Sequence, residues 1–256
     1  MTGASEYGVL RSRIITALTL APLVIAAVFL SPAPVFALLF CLIICLGMYE
    51  WAGLAGYSRP VARIFYCVVF AALCAILYML PTLQDELLGV GAIFWISAML
   101  GVVVYPRGGR IYRQRALVAA VGWLVGVCAW VALLKVRGAE QGSIWLLWVL
   151  VLVWAADIGA YFAGKTFGRH ALAPNVSPGK TWEGAAGGTA LAALVCSVAL
   201  LLWQGFTWQW LLVICVLVAI SIFGDLFESV LKRSSDTKDS GNLLPGHGGM
   251  LDRIDS

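Results

Sequence analysis

The 256-residue chain is 62% hydrophobic and only 12% charged, whereas an ordinary soluble domain carries about 25% charged residues. A water-soluble fold of this length could not bury so much apolar surface, so the surplus must face lipid. The net charge of +4 comes from basic residues scattered in short loops, which argues against a nucleic-acid surface built on a basic stripe. Anionic membrane lipid or a phosphate-bearing substrate fits this charge better.

Long apolar runs separated by polar clusters occur eight times along the chain. They cover residues 14–30, 33–56, 61–80, 87–105, 116–134, 143–163, 184–203 and 208–223. A bilayer core about 30 Å thick needs about 20 helical residues, so each run is long enough, or nearly so, to cross it. The pattern predicts an all-α fold, a polytopic integral membrane helix bundle of eight spans. It forms a single membrane domain, with helices one to five in residues 1–143 and helices six to eight in residues 144–256.

The distribution of lysine and arginine predicts how the spans are oriented. If the N-terminus is cytoplasmic, 15 of the 17 basic residues fall on the inner side, and only Lys135 and Arg137 fall outside. Short loops rich in basic residues stay in the cytoplasm, so this asymmetry supports both the orientation and the number of spans. Two inner segments, residues 164–183 and 224–256, are too long and too polar to be mere turns. We expect any chemistry to lie there.

The seven cysteines all lie inside apolar runs. They are typical of small buried hydrophobic residues. No pair has zinc-ligand spacing, and the two histidines, His170 and His247, are remote from them in sequence. Neither a disulfide framework nor a Cys/His zinc site is supported.

Four polar residues share one face of the helix that continues the last apolar run. Asp225, Glu228, Ser229 and Lys232 lie at positions i, i+3, i+4 and i+7. Two carboxylates and a hydroxyl followed by a cation suit an oxygen-ligated metal with a phosphate beside it. The alternative is a helix end with an ion pair between Glu228 and Lys232.

The tail after residue 238 combines glycine turns with acidic and apolar side chains. Gly248 and Gly249 follow His247, where backbone amides could approach a ligand closely. Asp252 and Asp255 are three residues apart, the spacing of one helical face. A disordered polar tail is the alternative, but such tails rarely contain apolar residues, which here are Leu243, Leu244, Met250, Leu251 and Ile254.

A third polar segment precedes the seventh apolar run. Its Gly-Lys-Thr sequence at residues 179–181 resembles the end of a Walker A motif, but Pro174 stands where the first glycine should be, and no hydrophobic strand precedes it. Ser177 as N-cap and Pro178 at the first helical position predict instead a helix start. Its free amides, with Lys180, could hold a phosphate group. A plain helix cap is the alternative.

Two acidic residues lie within the predicted spans. Asp157 is one turn from Tyr161 and two turns from Lys165. An ionisable residue within a span is costly, which makes a functional role for Asp157 the default. Glu50 lies near the inner end of the second span, and we expect it to snorkel to the interface rather than contact a substrate.

Together these segments resemble the bacterial CDP-diacylglycerol synthases, or phosphatidate cytidylyltransferases. The family signature is filled in order by Ser229, Lys232, Arg233, Lys238, Asp239, Gly241, Pro245, His247, Gly248, Gly249, Asp252, Arg253 and Asp255. Residues 154–165 and 175–184 are also similar to the family, so the likeness is strong from residue 144 onward and rests on hydropathy alone before it. Family members usually continue into another membrane helix, so a ninth span is expected after Ser256 in full-length members.

The resemblance implies a nucleotidyltransferase of phospholipid biosynthesis. It would convert CTP and phosphatidic acid into CDP-diacylglycerol and pyrophosphate at the cytoplasmic face of the bacterial inner membrane, with Mg²⁺ as cofactor. Acidic residues that hold Mg²⁺ beside Lys and Arg are the equipment such a transfer needs. Membrane lipid is a further expected partner and nucleic acid is not. A second cation, monovalent or divalent, and a homodimer are left open.

The resemblance also implies roles for individual residues. The expected principal metal ligands are Asp225 and Asp252, and a metal could join them; the supporting candidates are Ser229, Glu228 and Asp255. The expected catalytic residues are Asp225, Asp252, Lys232, Arg233 and Lys238. The expected substrate-binding residues are Asn175, Ser177, Lys180, Asp157, Tyr161, His247, Gly248, Gly249 and Arg253.

Two other functions are weighed against this one. A CDP-alcohol phosphotransferase also acts on lipids at the inner face, but its Asp-Gly-x-x-Ala-Arg motif is absent from the sequence. A transporter could use Asp157 and Asp225 to relay protons or ions. Such transporters usually show paired halves with broken helices, and the sequence contains no such repeat.

Overall fold

The computed structural model of the protein describes residues 19, 21–107, 109–241 and 248–255. Seven helices in this part are long and apolar enough to cross a membrane. They are α2 (Ala33–Leu54), α3 (Pro60–Met79), α4 (Thr82–Val104), α5 (Arg115–Gly138), α6 (Gly142–Phe167), α7 (Trp182–Trp203) and α8 (Gln209–Ser234). The prediction of an all-α, polytopic membrane protein is confirmed. The first of the eight predicted spans lies partly outside the described residues, and the short apolar helix α1 (Ala21–Leu30) is its described part.

Local sequence signals explain where the helices begin and end. Helix α3 begins at Pro60, whose fixed φ and missing N–H suit the first helical turn. Helix α2 ends at Leu54, and Gly56 beyond it adopts a φ of 87°, a left-handed conformation that glycine tolerates. Helix α8 continues to Ser234, so the polar stretch from Asp225 to Lys232 is helical, as predicted.

The described residues form two compact units, and the first contains those that fall within Met1–Gly91, Arg115–Ser143 and Asp239–Ile254. Helices α2, α3 and α5 pack together in it. Their aromatic side chains donate hydrogen bonds to buried backbone carbonyls: Trp51 Nε1 to Val118 O (2.8 Å), Tyr66 OH to Ala119 O (2.7 Å) and Trp130 Nε1 to Ala37 O (2.8 Å). These bonds satisfy polar groups where lipid offers no partner.

The second unit contains Ala92–Gln114, Ile144–Lys238 and Asp255–Ser256. Helices α6, α7 and α8 share an apolar core that includes Trp148, Leu152, Ala192, Cys196, Leu200, Ile214 and Val218. Gly159 of α6 approaches α7 so closely that a Cβ there would lie 2.6 Å from the carbonyl oxygen of Gly187. Glycine is required at this crossing because any side chain would overlap the α7 backbone.

A small antiparallel hairpin, β1 (Ala171–Ala173) and β2 (Ser177–Thr181), joins α6 to α7. The prediction that Ser177 caps a helix is therefore wrong. Helix α7 begins at Trp182, and the Thr181 hydroxyl accepts a hydrogen bond from Gly184 N (3.1 Å). Pairing with β1 holds Ser177 in a strand, and Thr181, whose hydroxyl can also cap a helix, takes the capping role.

Candidate active site

A cavity of about 210 Å³ lies in the second unit, among α6, β2, α7 and α8. Its polar lining consists of Asp157, Tyr161, Lys180, Thr181, Ser221 and Asp225. Glycine and alanine form much of the remaining wall, so backbone and small side chains leave room for a ligand. Four residues predicted to bind substrate or metal, Asp157, Tyr161, Lys180 and Asp225, are thus brought together in this one cavity.

Lys180 and Asp225 form an ion pair on the cavity wall. Lys180 extends from β2, and its ammonium meets Asp225 Oδ2 at the point where α8 carries its first carboxylate. The other oxygen, Asp225 Oδ1, accepts a hydrogen bond from the Ser229 hydroxyl one turn later (3.4 Å). Both side chains are partly exposed, 27% for Lys180 and 33% for Asp225, so the pair remains accessible to an incoming ligand.

Contacts at both ends fix the hairpin that carries Lys180. Glu183 Oε2 accepts hydrogen bonds from the backbone N–H groups of Arg169 and His170, both at 3.2 Å, and Glu183 Oε1 lies 2.6 Å from His170 Nδ1. At the turn, Arg233 Nε donates to Val176 O (3.1 Å). Sequence reasoning missed Glu183 and His170. The signal was a carboxylate in the first turn of a helix, where it can accept from nearby backbone amides.

Arg233 therefore acts on the hairpin backbone in this structure, and its expected role at the substrate phosphates stays a prediction. The remaining predicted residues of the segment lie away from the cavity lining: Asn175 is exposed in the turn and Ser177 is half-buried at the start of β2. Their expected part in substrate binding stays a prediction.

Glu228 and Lys232 form the i, i+4 ion pair that was the alternative to a metal site, with Lys232 Nζ 2.8 Å from Glu228 Oε2. Both side chains are largely buried, and neither lines the cavity. Asp255 lies in the same unit, where burial and the charge of Asp225 raise the pKa of its carboxyl. The hydrogen bond with Glu228 and the positive charges of Lys232 and Lys180 act against this rise.

In the first unit, Asp252 organises the described part of the tail. Its Oδ2 accepts hydrogen bonds from Gly249 N (2.8 Å), Ser240 Oγ (2.9 Å) and Ser240 N (3.3 Å). Gly248 adopts a φ of 83°, which only glycine accepts readily, so the glycine-rich sequence forms a defined turn around this carboxylate. His247 lies outside the described residues. Lys238 and Arg253 are exposed, and their expected contact with phosphates stays a prediction.

The expectation that Glu50 snorkels to the interface is wrong. Its residue exposure is 2%, and its Oε2 accepts a hydrogen bond from Leu251 N (2.8 Å). The tail supplies the polar partner that water would otherwise supply, which is why the carboxylate can stay buried. The signal that could have identified it is the one applied to Asp157, an ionisable residue within a span.

The described residues contain no group of three or more His, Cys, Asp or Glu side chains placed to hold a metal ion. The expected ligands Asp225 and Asp252 lie in different units, and a metal joining them stays a prediction. Within the second unit, two carboxylates line the cavity, Asp157 and Asp225, and Asp225 has the Ser229 hydroxyl beside it.

Comparison with known proteins gives concordant matches across most of the chain. The sequence profile of the Cytidylyltransferase family matches residues 11–256. A phosphatidate cytidylyltransferase of Pseudomonas aeruginosa is 43% identical over 250 residues, which cover 96% of this chain and 92% of that protein. A phosphatidate cytidylyltransferase of Haemophilus influenzae is 35% identical over 275 residues, which cover 96% of this chain and 94% of that protein. A phosphatidate cytidylyltransferase of Bacillus subtilis is 36% identical over 169 residues, which cover 64% of this chain and 62% of that protein.

Proposed function

Because this chain belongs to the cytidylyltransferase family, we propose that it transfers the cytidylyl group of CTP to phosphatidic acid, giving CDP-diacylglycerol and pyrophosphate. The names of its relatives support this choice of substrates. The membrane-spanning helices support it as well, since phosphatidic acid resides in the bilayer. Membership of the cytidylyltransferase family argues against both alternative functions, a CDP-alcohol phosphotransferase and a transporter.

The observation that carries the proposal is the ion pair of Lys180 and Asp225 on the wall of the cavity. A nucleotide phosphate brings negative charge that an ammonium can neutralise, and the freed carboxylate can then bind a cation. The same cavity reaches Asp157 and Tyr161 on membrane helix α6. A polar site at the side of membrane helices suits one soluble and one lipid substrate.

In the reaction, a phosphate oxygen of phosphatidic acid attacks the α-phosphorus of CTP. A new oxygen–phosphorus bond forms as the bond from the α-phosphorus to the bridging oxygen of the β-phosphate breaks, and pyrophosphate leaves. Phosphate monoesters are anionic at pH 7, so the attacking group needs no dedicated base. The protein's contribution is to align the two substrates and neutralise their charges, for which Lys180 is the best-placed cation in the described part of the chain.

We propose Mg²⁺ as the cofactor, and the donor chemistry of the cavity fits it. Mg²⁺ is usually held by one or two carboxylates together with substrate phosphates and water rather than by a complete protein cage. Asp225, with the Ser229 hydroxyl 3.4 Å from its Oδ1, offers oxygen donors of this kind. When bound, Mg²⁺ would neutralise charge on the transferring phosphate. Asp252 stays a proposed principal ligand with Asp225, and Ser229, Glu228 and Asp255 stay proposed supporting ligands.

We further propose that the hairpin and the tail lie at the cytoplasmic face of the bacterial inner membrane. The support is the distribution of basic residues, of which only Lys135 and Arg137 fall on the outer side. In a cysteine-free background, Cys introduced at Gln114 or Thr237 should resist a membrane-impermeant maleimide in intact cells, while Cys at Thr82 or Gln204 should react. All four positions are exposed in the structure. The reverse pattern of labelling would overturn the orientation.

The activity is tested with purified protein in vesicles and CTP labelled at its α-phosphate. Label should enter the lipid fraction when phosphatidic acid and Mg²⁺ are both present. Diacylglycerol, which lacks the attacking phosphate, is the matched control lipid and should stay unlabelled. Lipid labelling with diacylglycerol but not with phosphatidic acid would refute the proposed substrate.

A further inference from the structure

Glu50 occupies an unusual place for a carboxylate. It lies near the carboxyl-terminal end of α2, and its residue exposure is 2%. A buried carboxylate is stable only where donors of the protein replace its hydration. The donors in this case come from a segment about two hundred residues later in the sequence, the tail of the first unit.

The tail places one backbone donor and one shared hydroxyl at the same oxygen of Glu50. Leu251 N lies 2.8 Å from Glu50 Oε2, and Ser240 Oγ lies 3.3 Å from it. The same hydroxyl lies 2.9 Å from Asp252 Oδ2. A serine hydroxyl has one proton and sits here between two carboxylates. Glu50 and Asp252 are therefore linked through Ser240, and both hold the turn that ends in Leu251 and Asp252.

Glycines make this close approach possible. A Cβ at Gly241 or Gly249 would collide with the Glu50 carboxylate. One turn earlier on α2, Gly47 lies against the tail: a Cβ there would stand 2.9 Å from Ile254 Cδ1 and 3.6 Å from Leu251 Cδ1. On α2, Gly47 thus leaves space for the side chains of Leu251 and Ile254, and Glu50 accepts a hydrogen bond from the backbone of Leu251.

We propose that Glu50 is a positioning residue, which anchors the tail segment of residues 248–252 on α2 through the hydrogen bond that its carboxylate accepts from Leu251 N. The inference rests on the proposed function, because that segment carries the expected catalytic residue Asp252. A shift of the segment by 1 Å would cost turnover about 10²-fold.

The test compares three variants of the full-length protein: Glu50→Gln, Glu50→Asp and Glu50→Ala. Glutamine keeps a carbonyl oxygen where Oε2 accepts, and it places its NH₂ where Oε1 has no partner among the described residues. Aspartate keeps the charge but is one methylene too short. An anchor made of hydrogen bonds predicts that glutamine stays within about fivefold of wild type, while aspartate and alanine lose roughly ten- to a hundredfold in kcat. The KM for CTP should rise as well, because the expected substrate-binding residues Gly248 and Gly249 lie in the same segment.

Hydrogen exchange gives a readout that does not depend on activity. The backbone amides of residues 248–252 should exchange at least tenfold faster in the alanine and aspartate variants than in wild type or the glutamine variant. Glu86→Gln, at an exposed site on α4, is the matched control and should leave exchange unchanged. If the alanine variant fails to fold, the aspartate and glutamine variants provide the same comparison of exchange rates.

The ranking of the variants decides the proposal. Severe loss in glutamine with near-normal behaviour in aspartate would show that charge, not hydrogen bonding, is needed, and would overturn it. So would three variants within twofold of wild type in both kcat and exchange. If the wild-type protein lacks cytidylyl transfer, the proposed function fails while the exchange ranking still tests the anchor.

Discussion

Asp225→Asn should lower kcat for cytidylyl transfer by roughly 10²- to 10³-fold or more, the size seen when one preorganised charge interaction is removed from an active site. The substitution keeps the size of the side chain and removes its charge. Lys180 then loses its partner on the cavity wall, and the Mg²⁺ requirement should rise because a carboxylate ligand is gone. The measurement is kcat as a function of Mg²⁺ concentration.

The matched control is Asp85→Asn. Asp85 forms a more exposed ion pair with Lys135 (2.8 Å) in the first unit, so its removal breaks a carboxylate–lysine pair without touching the cavity. We expect that variant to stay within twofold of wild type, since exposed pairs contribute about 0–1 kcal/mol. Activity of Asp225→Asn within a few-fold of wild type at moderate Mg²⁺ would remove Asp225 from the metal site.

Lys180→Met should raise the KM for CTP by about 10- to 150-fold. A charge-assisted contact contributes about 1.5–3 kcal/mol, and every 1.4 kcal/mol is tenfold. If the contact exists only in the transition state, the same factor appears in kcat instead. The KM for phosphatidic acid should change less, because the lysine is expected to meet the nucleotide. Steady-state kinetics with each substrate varied in turn separate these outcomes.

Lys135→Met, which removes the lysine of the Asp85 pair, is the control for charge loss alone. A solvated lysine beside the helix start would predict no more than a twofold change in either KM. Near-normal kinetics for Lys180→Met would take the hairpin out of the site and leave CTP to other groups.

The membrane helices could be predicted from the sequence because a run of about 20 apolar residues, the length that crosses a bilayer, can be recognised by its hydropathy. Seven predicted runs correspond to helices whose ends lie within a few residues, except that α8 continues eleven residues beyond its apolar run. The extension follows from the helical spacing of Asp225, Glu228, Ser229 and Lys232. Their one-face arrangement was also predictable, and the hydrogen bond of Ser229 to Asp225 and the pair of Glu228 with Lys232 are its result.

The hairpin could not be predicted from local signals. Ser177-Pro178 and Thr181 each offer a valid helix start, and pairing with β1 decides between them. The same pairing brings Lys180 to Asp225. These residues are 45 positions apart in sequence, and neither segment by itself predicts their contact.

The burial of Glu50 and its hydrogen-bond partners could not be predicted from the sequence either. Its position in a span is compatible with snorkelling as long as its partners are unknown. Those partners, Ser240 and Leu251, are 190 and 201 residues away, and only tertiary contacts bring them to α2. Glycines 241 and 249 look like turn residues in the sequence, whereas the structure uses their lack of a side chain to admit a carboxylate.

The fate of the CTP phosphates tests the central claim most directly. Protein reconstituted with phosphatidic acid is given CTP labelled at either the α- or the γ-phosphate, and lipid and aqueous fractions are separated. Cytidylyl transfer predicts α-label in the lipid and γ-label in pyrophosphate, in equal amounts. Label from the γ-phosphate in the lipid, or no lipid label from the α-phosphate, would contradict the account.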